Sequence, residues 1–183
     1  MSDVFEQAKS RVLDRIQSPR DFLEFKLGAA LKMEQRVLQM LDKLQDEVRS
    51  EELRQQFRHH ADETRSQIEN IEHSFSVLGS AVDDKPCPTI EALDKESKAN
   101  IKLANDQTRD LVILSGAAET EHHEIAVYEY LIINARAMGR DDAVALLQQN
   151  LEQEERALEN VRTLAERVAA LAQREPAAAS ERP

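Results

Sequence analysis

Acidic side chains occur near the middle of four long helical patterns in this sequence of 183 residues. Glu34, Glu121 and Glu154 fall on rows of hydrophobic residues spaced by three and four. Glu63 lies on a polar face that also carries His60. A carboxylate at a core position is unfavourable unless it is paired, protonated or bound to a metal ion. These positions therefore raise the possibility of a buried polar or metal site.

The helical periodicity indicates how these residues are positioned. It predicts an all-α fold of four long helices with short first and last turns and a long middle connection, which is typical of a bundle with a crossover. The long helices are predicted at 19–48, 51–78, 107–138 and 142–172, a short helix in the connection at 90–105, and an amphipathic helix at 3–16. As domains, this gives an N-terminal helical extension at 1–18, the bundle at 19–172 and a disordered tail at 173–183.

Residues that favour helix ends support these boundaries. Four residues are placed to cap the starts of helices, and two glycines are placed to end them. The predicted caps are Ser18, Ser50, Thr89 and Asp141, and the glycines are Gly79 and Gly139.

The acids also fall at similar heights along the predicted bundle. In an antiparallel pair, residues equally far from the turn lie level with each other. At about 1.5 Å per residue, Glu34 and Glu63 differ by roughly 3 Å, and Glu121 and Glu154 by roughly 6 Å. Four carboxylates at one level repel each other, so either some are protonated or a cation neutralises them. Carboxylate and imidazole groups suit hard or intermediate divalent metals.

Other interpretations of the same residues stay open. A single Glu on a hydrophobic row is usually a rim residue whose stem is buried while its carboxylate reaches water. The histidines occur as two adjacent pairs, His59–His60 and His122–His123, of which at most one member each can face inward. His60 lies on the inward row, and the others are expected at solvent or an interface. Tyr128 is placed either to bond a carboxylate or to serve as an ordinary core residue.

Composition excludes several functions. A net charge of −11 argues against binding to nucleic acid or to anionic membranes. Cys87 is the only cysteine, so no internal disulfide is possible, and its simplest role is that of a small apolar residue. The start of the chain lacks the basic and apolar blocks of a signal peptide. No apolar run approaches the ~20 residues of a membrane span. These features predict a cytoplasmic protein.

Seven short motifs resemble the ferritin-like family of bacterial stress proteins typified by YciE and YciF. The resemblance covers roughly residues 20–168, and its most specific motif is the one at 121–128. The motifs lie at 32–35, 60–68, 87–93, 110–114, 121–128, 146–147 and 151–155.

The resemblance implies a ferritin-like four-helix bundle with a dinuclear iron or manganese site, assembled as a homodimer and linked to stress responses. It implies Glu34, Glu63, Glu121 and Glu154 as first ligands, followed by His60 and Glu124. Ser66 and Ala157 stand three residues after Glu63 and Glu154, where the wider superfamily has histidine. Two functions follow: a metal-binding protein that reacts with peroxide or oxygen, or a non-catalytic bundle that acts through its interfaces and retains a vestigial polar core.

Overall fold

Five α-helices account for most of residues 16–173, the part of the chain that the computed structural model describes. No β-strand occurs within this range. The helices are α1 (Pro19–Glu47), α2 (Glu51–Val77), α3 (Pro88–Leu103), α4 (Arg109–Ala137) and α5 (Asp141–Ala172). The predicted helix at 3–16, except for its last residue, and the tail from 174 onward lie outside the described residues.

Local capping interactions explain where several helices begin and end. The Ser18 and Ser50 hydroxyls accept hydrogen bonds of 3.1 Å and 3.4 Å from backbone amides three residues ahead. These bonds satisfy amides that the first helical turn leaves without partners. Gly79 and Gly139 follow α2 and α4 with φ angles of 72° and 66°, a region that favours glycine. All four predicted end signals are confirmed.

The predictions for the other two caps are wrong. α3 begins at Pro88 with Cys87 in the capping position, so Thr89 lies inside the first turn. Proline suits this first position because its fixed φ is helical and its missing N–H would have no intrahelical partner. Likewise, α5 is preceded by Arg140, and Asp141 is its first helical residue. A carboxylate there still interacts favourably with the positive end of the helix dipole.

The four long helices enclose one core. α1 packs against α2 and α4, while α5 packs against the same two helices from the other side. The fully buried residues follow the predicted three- and four-residue spacing, with Tyr128 and Phe75 the largest among them. Each helix therefore directs one face toward a common interior, which is the arrangement of a ferritin-like bundle.

The connection between α2 and α4 contains α3, which lies on the outside of the bundle against α1 and α4. Its loop approaches α1 closely at Gly28, whose carbonyl accepts a 3.0 Å hydrogen bond from Lys85 N. A Cβ at this glycine would lie 2.3 Å from Asp83 O, so a side chain would displace the loop. Further along, Arg36 Nη1 lies 3.8 Å from the buried Asp94 of α3. The crossover is thus fixed to α1 at two places.

None of the helices described here is long and apolar enough to cross a membrane.

Candidate metal centre

A cluster of four buried side chains lies in the middle of the bundle. His60 comes from α2, Glu121 and Glu124 from α4, and Glu154 from α5. One possible ligand atom from each residue lies within 4.8 Å of the others. A nitrogen and three carboxylate oxygens at this spacing could hold a metal ion. These four residues form the central cluster.

Helical spacing accounts for the cluster. Glu121 and Glu124 are three residues apart on α4, so both carboxyls reach the same side of that helix. His60 Nε2 lies 3.3 Å from Glu121 Oε1 and 3.7 Å from Glu154 Oε2. The imidazole of α2 thus bridges the acidic residues of α4 and α5.

Glu34, a predicted ligand from α1, is fully buried next to the central cluster. Its Oε1 accepts a 2.5 Å hydrogen bond from Tyr128 Oη, and its Oε2 has no hydrogen-bond partner. The Glu34 and Glu124 carboxyls are close enough to alter each other's pKa. Glu34 therefore borders the cluster without contributing to the group of four.

Glu63, the remaining predicted ligand, lies at the edge of the bundle interior. Its side chain is 19% exposed, and its Oε2 is 3.9 Å from His60 Nδ1. The same carboxylate also lies 3.8 Å from His59 Nε2 and 3.6 Å from Arg156 Nη2. The His60 imidazole lowers the pKa of Glu63. The structure thus places Glu63 beside one member of the central cluster and outside the group itself.

Many polar atoms of this region have no hydrogen-bond partner. Both carboxylate oxygens of Glu124, one oxygen each of Glu121 and Glu154, and both ring nitrogens of His60 are buried and make no hydrogen bond, although the His60 nitrogens lie within 3.3–3.9 Å of carboxylate oxygens. Leaving a buried polar group unpaired costs about 1–3 kcal/mol, and more when the group is charged. Native proteins contain few such atoms, and here they are carboxylate oxygens and imidazole nitrogens, which are the donor atoms that a divalent cation prefers.

The electrostatics of the cluster favour bound protons when no cation is present. Burial raises the pKa of Glu34 to about 7, even though the Tyr128 hydrogen bond opposes this change. Burial and the neighbouring carboxylates raise the pKa values of Glu124 and Glu154 well above the ordinary range. Burial alone would lower the pKa of His60, but the Glu121 carboxylate raises it well above its usual value. A metal ion could replace these protons as the compensating charge.

A hydrogen-bonded network holds the acidic side chains from one side. Asn150 Nδ2 donates to Tyr128 Oη over 3.0 Å, and Tyr128 in turn donates to Glu34. Gln67 Nε2 donates to Glu154 Oε1. Asn150 was not among the residues singled out from the sequence. The available signal was its position four residues before Glu154, which places both on the same side of α5.

Replacing Tyr128 by Phe is expected to destabilise the protein by about 2 kcal/mol, because Glu34 and Asn150 each lose a buried partner. The comparison is with Tyr130→Phe on the same helix, whose side chain is exposed. Urea unfolding at pH 8 measures both variants. Equal stability of the two would show that the Tyr128 hydroxyl contributes nothing.

The other three histidines of the two adjacent pairs lie outside the central cluster. His59 and His122 are exposed, and His122 Nε2 lies 3.3 Å from Arg162 Nη2. His123 is half-buried, and its Nε2 lies 3.7 Å from the sulfur of the buried Cys87. This contact joins the start of α3 to α4 and was not expected from the sequence.

Similarity to known proteins covers the whole bundle. A model of the family described as a domain of unknown function, DUF892, matches residues 18–174. Protein YciF of Escherichia coli strain K12 is 31% identical over 130 residues, which are 70% of this chain and 78% of YciF.

Two solved structures share both fold and sequence. YcfI of Rhodopseudomonas palustris matches with a TM-score of 0.79 and 32% identity, over 82% of this chain and 96% of its own. The E. coli stress protein YciF matches with a TM-score of 0.81 and 27% identity, over 85% of this chain and 99% of its own. The chain therefore belongs to the YciE/YciF-type family of helical-bundle proteins, whose domain carries the description DUF892.

Proposed function

We propose that this chain is a stress protein that holds a dinuclear iron or manganese centre in its bundle core. The observation that carries the proposal is the central cluster: three acids and one histidine from three helices, with ligand atoms within 4.8 Å of one another. The similarity to a protein described as a stress protein supports the biological setting.

The chemistry of the site fits such a metal. Iron(II) and manganese(II) accept mixed oxygen and nitrogen ligands, and the cluster supplies carboxylates with one imidazole. Its unpaired oxygens and ring nitrogens are atoms that a cation would satisfy. The acids also outnumber the one imidazole among them, so a divalent ion would reduce their mutual repulsion.

In this proposal the central cluster holds the first ion. Glu34, which borders Glu124, and Glu63, which borders His60, are the further carboxylates that would contribute to a second ion. When bound, iron or manganese would supply one-electron redox chemistry toward peroxide or dioxygen. Tyr128 and Gln67 fix the carboxyls of Glu34 and Glu154 through hydrogen bonds, and so reduce the entropy lost on binding. The hydrophobic residues around them exclude bulk water.

Loading with iron(II) or manganese(II) is expected to give at least one metal ion per chain, measured by elemental analysis of the desalted protein. Glu121→Ala should reduce that content by more than half, because it removes a buried ligand oxygen. Glu119→Ala, an exposed acid on the same helix, should retain the wild-type content.

Less than one metal per two chains in wild type, unchanged by Glu121→Ala, would refute the metal centre. That result would favour the alternative of a non-catalytic interaction bundle with a vestigial polar core. Peroxide consumption by the loaded protein, compared with the Glu121→Ala variant, tests the redox part of the proposal separately.

The homodimer and the cytoplasmic location remain predictions. Tyr130 and Ile133 support a dimer, because both are large, exposed and on neighbouring positions of α4, with relative exposures of 61% and 56%. Hydrophobic residues grouped on a surface are common where a protein binds a partner.

A further inference from the structure

A groove on the outside of the bundle lies between the end of α1 and the second half of α3. Its volume is about 390 Å³, and α4 contributes its first residue, Arg109, to the wall. The groove shares no residue with the central cluster. Small-molecule sites in proteins have volumes of roughly 300–1,000 Å³. The groove is therefore large enough for a small organic molecule.

The inner surface of this groove is apolar. Met40 and Leu44 of α1 and Ile101 of α3 line it, and each of these side chains is only 8–9% exposed. Met40 and Leu44 are four residues apart, so they lie one turn apart on the same side of α1. The lysine side chains around the groove add their hydrocarbon stems to this surface. Together these groups can cover the hydrocarbon part of a ligand.

Cationic side chains outnumber acidic ones around the groove, although the whole chain has a net charge of −11. Two ion pairs occupy some of these charges. Arg109 Nη1 lies 2.8 Å from Glu47 Oε2, and Lys98 Nζ lies 2.5 Å from Oδ2 of the buried Asp94. Both acids therefore already have a cationic partner and repel an incoming anion only weakly.

Lys43 and Lys102 are the two cations that remain. They stand on α1 and α3, and both side chains are exposed. Within the described part of the chain, neither ammonium group has a carboxylate within ion-pair distance. The one further acid of the groove is the exposed Asp46. The charges left over thus favour an anionic group at the rim.

The size of the groove limits the ligand. Its volume of about 390 Å³ equals the share of roughly thirteen water molecules in the liquid. A ligand of about 10–13 heavy atoms would fill this space. The apolar inner surface accepts a hydrocarbon chain, and the two lysines at the rim accept a negatively charged head. These requirements describe an amphipathic carboxylate of medium length.

We propose that the groove between α1 and α3 binds a free amphipathic carboxylate of this size. Its hydrocarbon chain would lie on Met40, Leu44 and Ile101, and its carboxylate would lie between Lys43 and Lys102. The site is separate from the central cluster, so binding requires no metal ion.

Isothermal titration of full-length, chelator-treated protein with decanoate below its micelle concentration tests this site. Decanoate is expected to bind saturably at one molecule per chain. Decyltrimethylammonium has a hydrocarbon chain of the same length with a positive head, and it should not bind. Butanoate retains the carboxylate but loses most of the apolar contact, so it should bind at least a hundredfold more weakly.

Charge reversal at the rim tests the position of the head. Lys43→Glu and Lys102→Glu should each weaken decanoate binding about fivefold or more, because each replaces an attraction by a repulsion. Lys95→Glu is the matched control, since Lys95 is exposed on α3 and lies outside the groove. At about 0.15 M salt, which screens distant charges, it should bind decanoate as wild type does.

Methionine labelled with carbon-13 at its methyl group locates the hydrocarbon chain. Among the methionines in the described residues, Met40 alone lines the groove, whereas Met138 follows the end of α4. Decanoate should shift the nuclear magnetic resonance signal of Met40, which the Met40→Leu variant assigns. The signal of Met138 should stay unchanged.

Several results would overturn the site. These are no saturable binding of decanoate, binding without a shift of the Met40 signal, or equal binding of decyltrimethylammonium. An equal loss of affinity in Lys95→Glu and Lys102→Glu would show a general charge effect instead of a placed head. Association with phosphatidylglycerol vesicles without binding of free decanoate would assign this face to a membrane and refute the proposal. None of these outcomes bears on the metal centre.

Discussion

The metal-free protein is expected to be less stable at pH 8 than at pH 5, with Glu34 alone contributing a loss of up to about 3 kcal/mol. The pKa of this carboxyl is about 7 in the folded protein, against 4.5 for a glutamate side chain free of such surroundings. Each unit of difference between the folded and unfolded states is worth about 1.4 kcal/mol. Substitutions at exposed positions usually change the free energy of unfolding by much less than this.

The direction follows from proton linkage. A group whose pKa is raised by folding contributes stability that is fully present below its unfolded pKa and lost as pH rises through its folded pKa. For Glu34 the loss therefore runs from about pH 4.5 to about pH 7. Glu124, Glu154 and His60 also have raised pKa values, so they act in the same direction and extend the loss to higher pH.

Urea unfolding of metal-free protein at pH 5 and pH 8 measures this difference. Both samples contain 0.5 M sodium chloride, roughly enough to screen the repulsion between surface charges but not between buried ones. Added manganese(II) is expected to restore stability at pH 8, by about 2.7 kcal/mol at one hundred times its dissociation constant. Equal stability at the two pH values would show that the buried acids do not retain protons on folding.

Glu124→Gln is expected to stabilise the metal-free protein at pH 8 by about 2 kcal/mol and to abolish most metal binding. Glu124 is fully buried, and neither of its carboxylate oxygens has a hydrogen-bond partner. At pH 8 the folded protein must either bind a proton at Glu124 or bury its charge, and both cost free energy, whereas an amide of the same shape avoids this cost. The same replacement removes a ligand oxygen from the central cluster.

Thermal unfolding and elemental analysis together test this variant. At pH 8 the unfolding temperature should rise by about 4–8 °C for a chain of this size. At pH 5 the rise should largely disappear, because the raised pKa of Glu124 makes its protonation much less costly there. Glu129→Gln, at an exposed position of the same helix, is the matched control. A purely structural role for Glu124 predicts the opposite sign, with the variant less stable than wild type at both pH values.

A gain in stability accompanied by a loss of metal would be characteristic of a functional site. Sequences retain unfavourable groups where function requires them, and replacing those groups commonly stabilises the protein. The two predictions above therefore distinguish a metal centre from a polar core that stabilises the bundle by its own hydrogen bonds.

The sequence by itself determined the helices and most of their ends. Ser18 and Ser50 cap by bonding amides three residues away, and Gly79 and Gly139 supply a backbone conformation that other residues rarely adopt. These interactions are local, so the order of residues is enough to predict them. Thr89 was predicted wrongly because two start signals lie side by side, and Pro88 begins the helix first.

The sequence also indicated that acids from several helices meet, because spacing by three and four defines which face of a helix is buried. It could not decide which carboxyls come within ligand distance. Glu63 and His60 are three residues apart on α2, yet His60 is buried and Glu63 is partly exposed beside Arg156. That difference depends on the rotation of α2 against α5, which local periodicity leaves undetermined.

Only the tertiary structure showed the Asn150 network and the contact between Cys87 and His123. Each of these depends on residues distant in sequence that meet after the helices have packed. Helix propensity and capping act over a few residues, whereas the distance between two side chains on different helices depends on the offset and rotation of both helices. The sequence determined that acids face the interior, and the packing determined which of them form the central cluster.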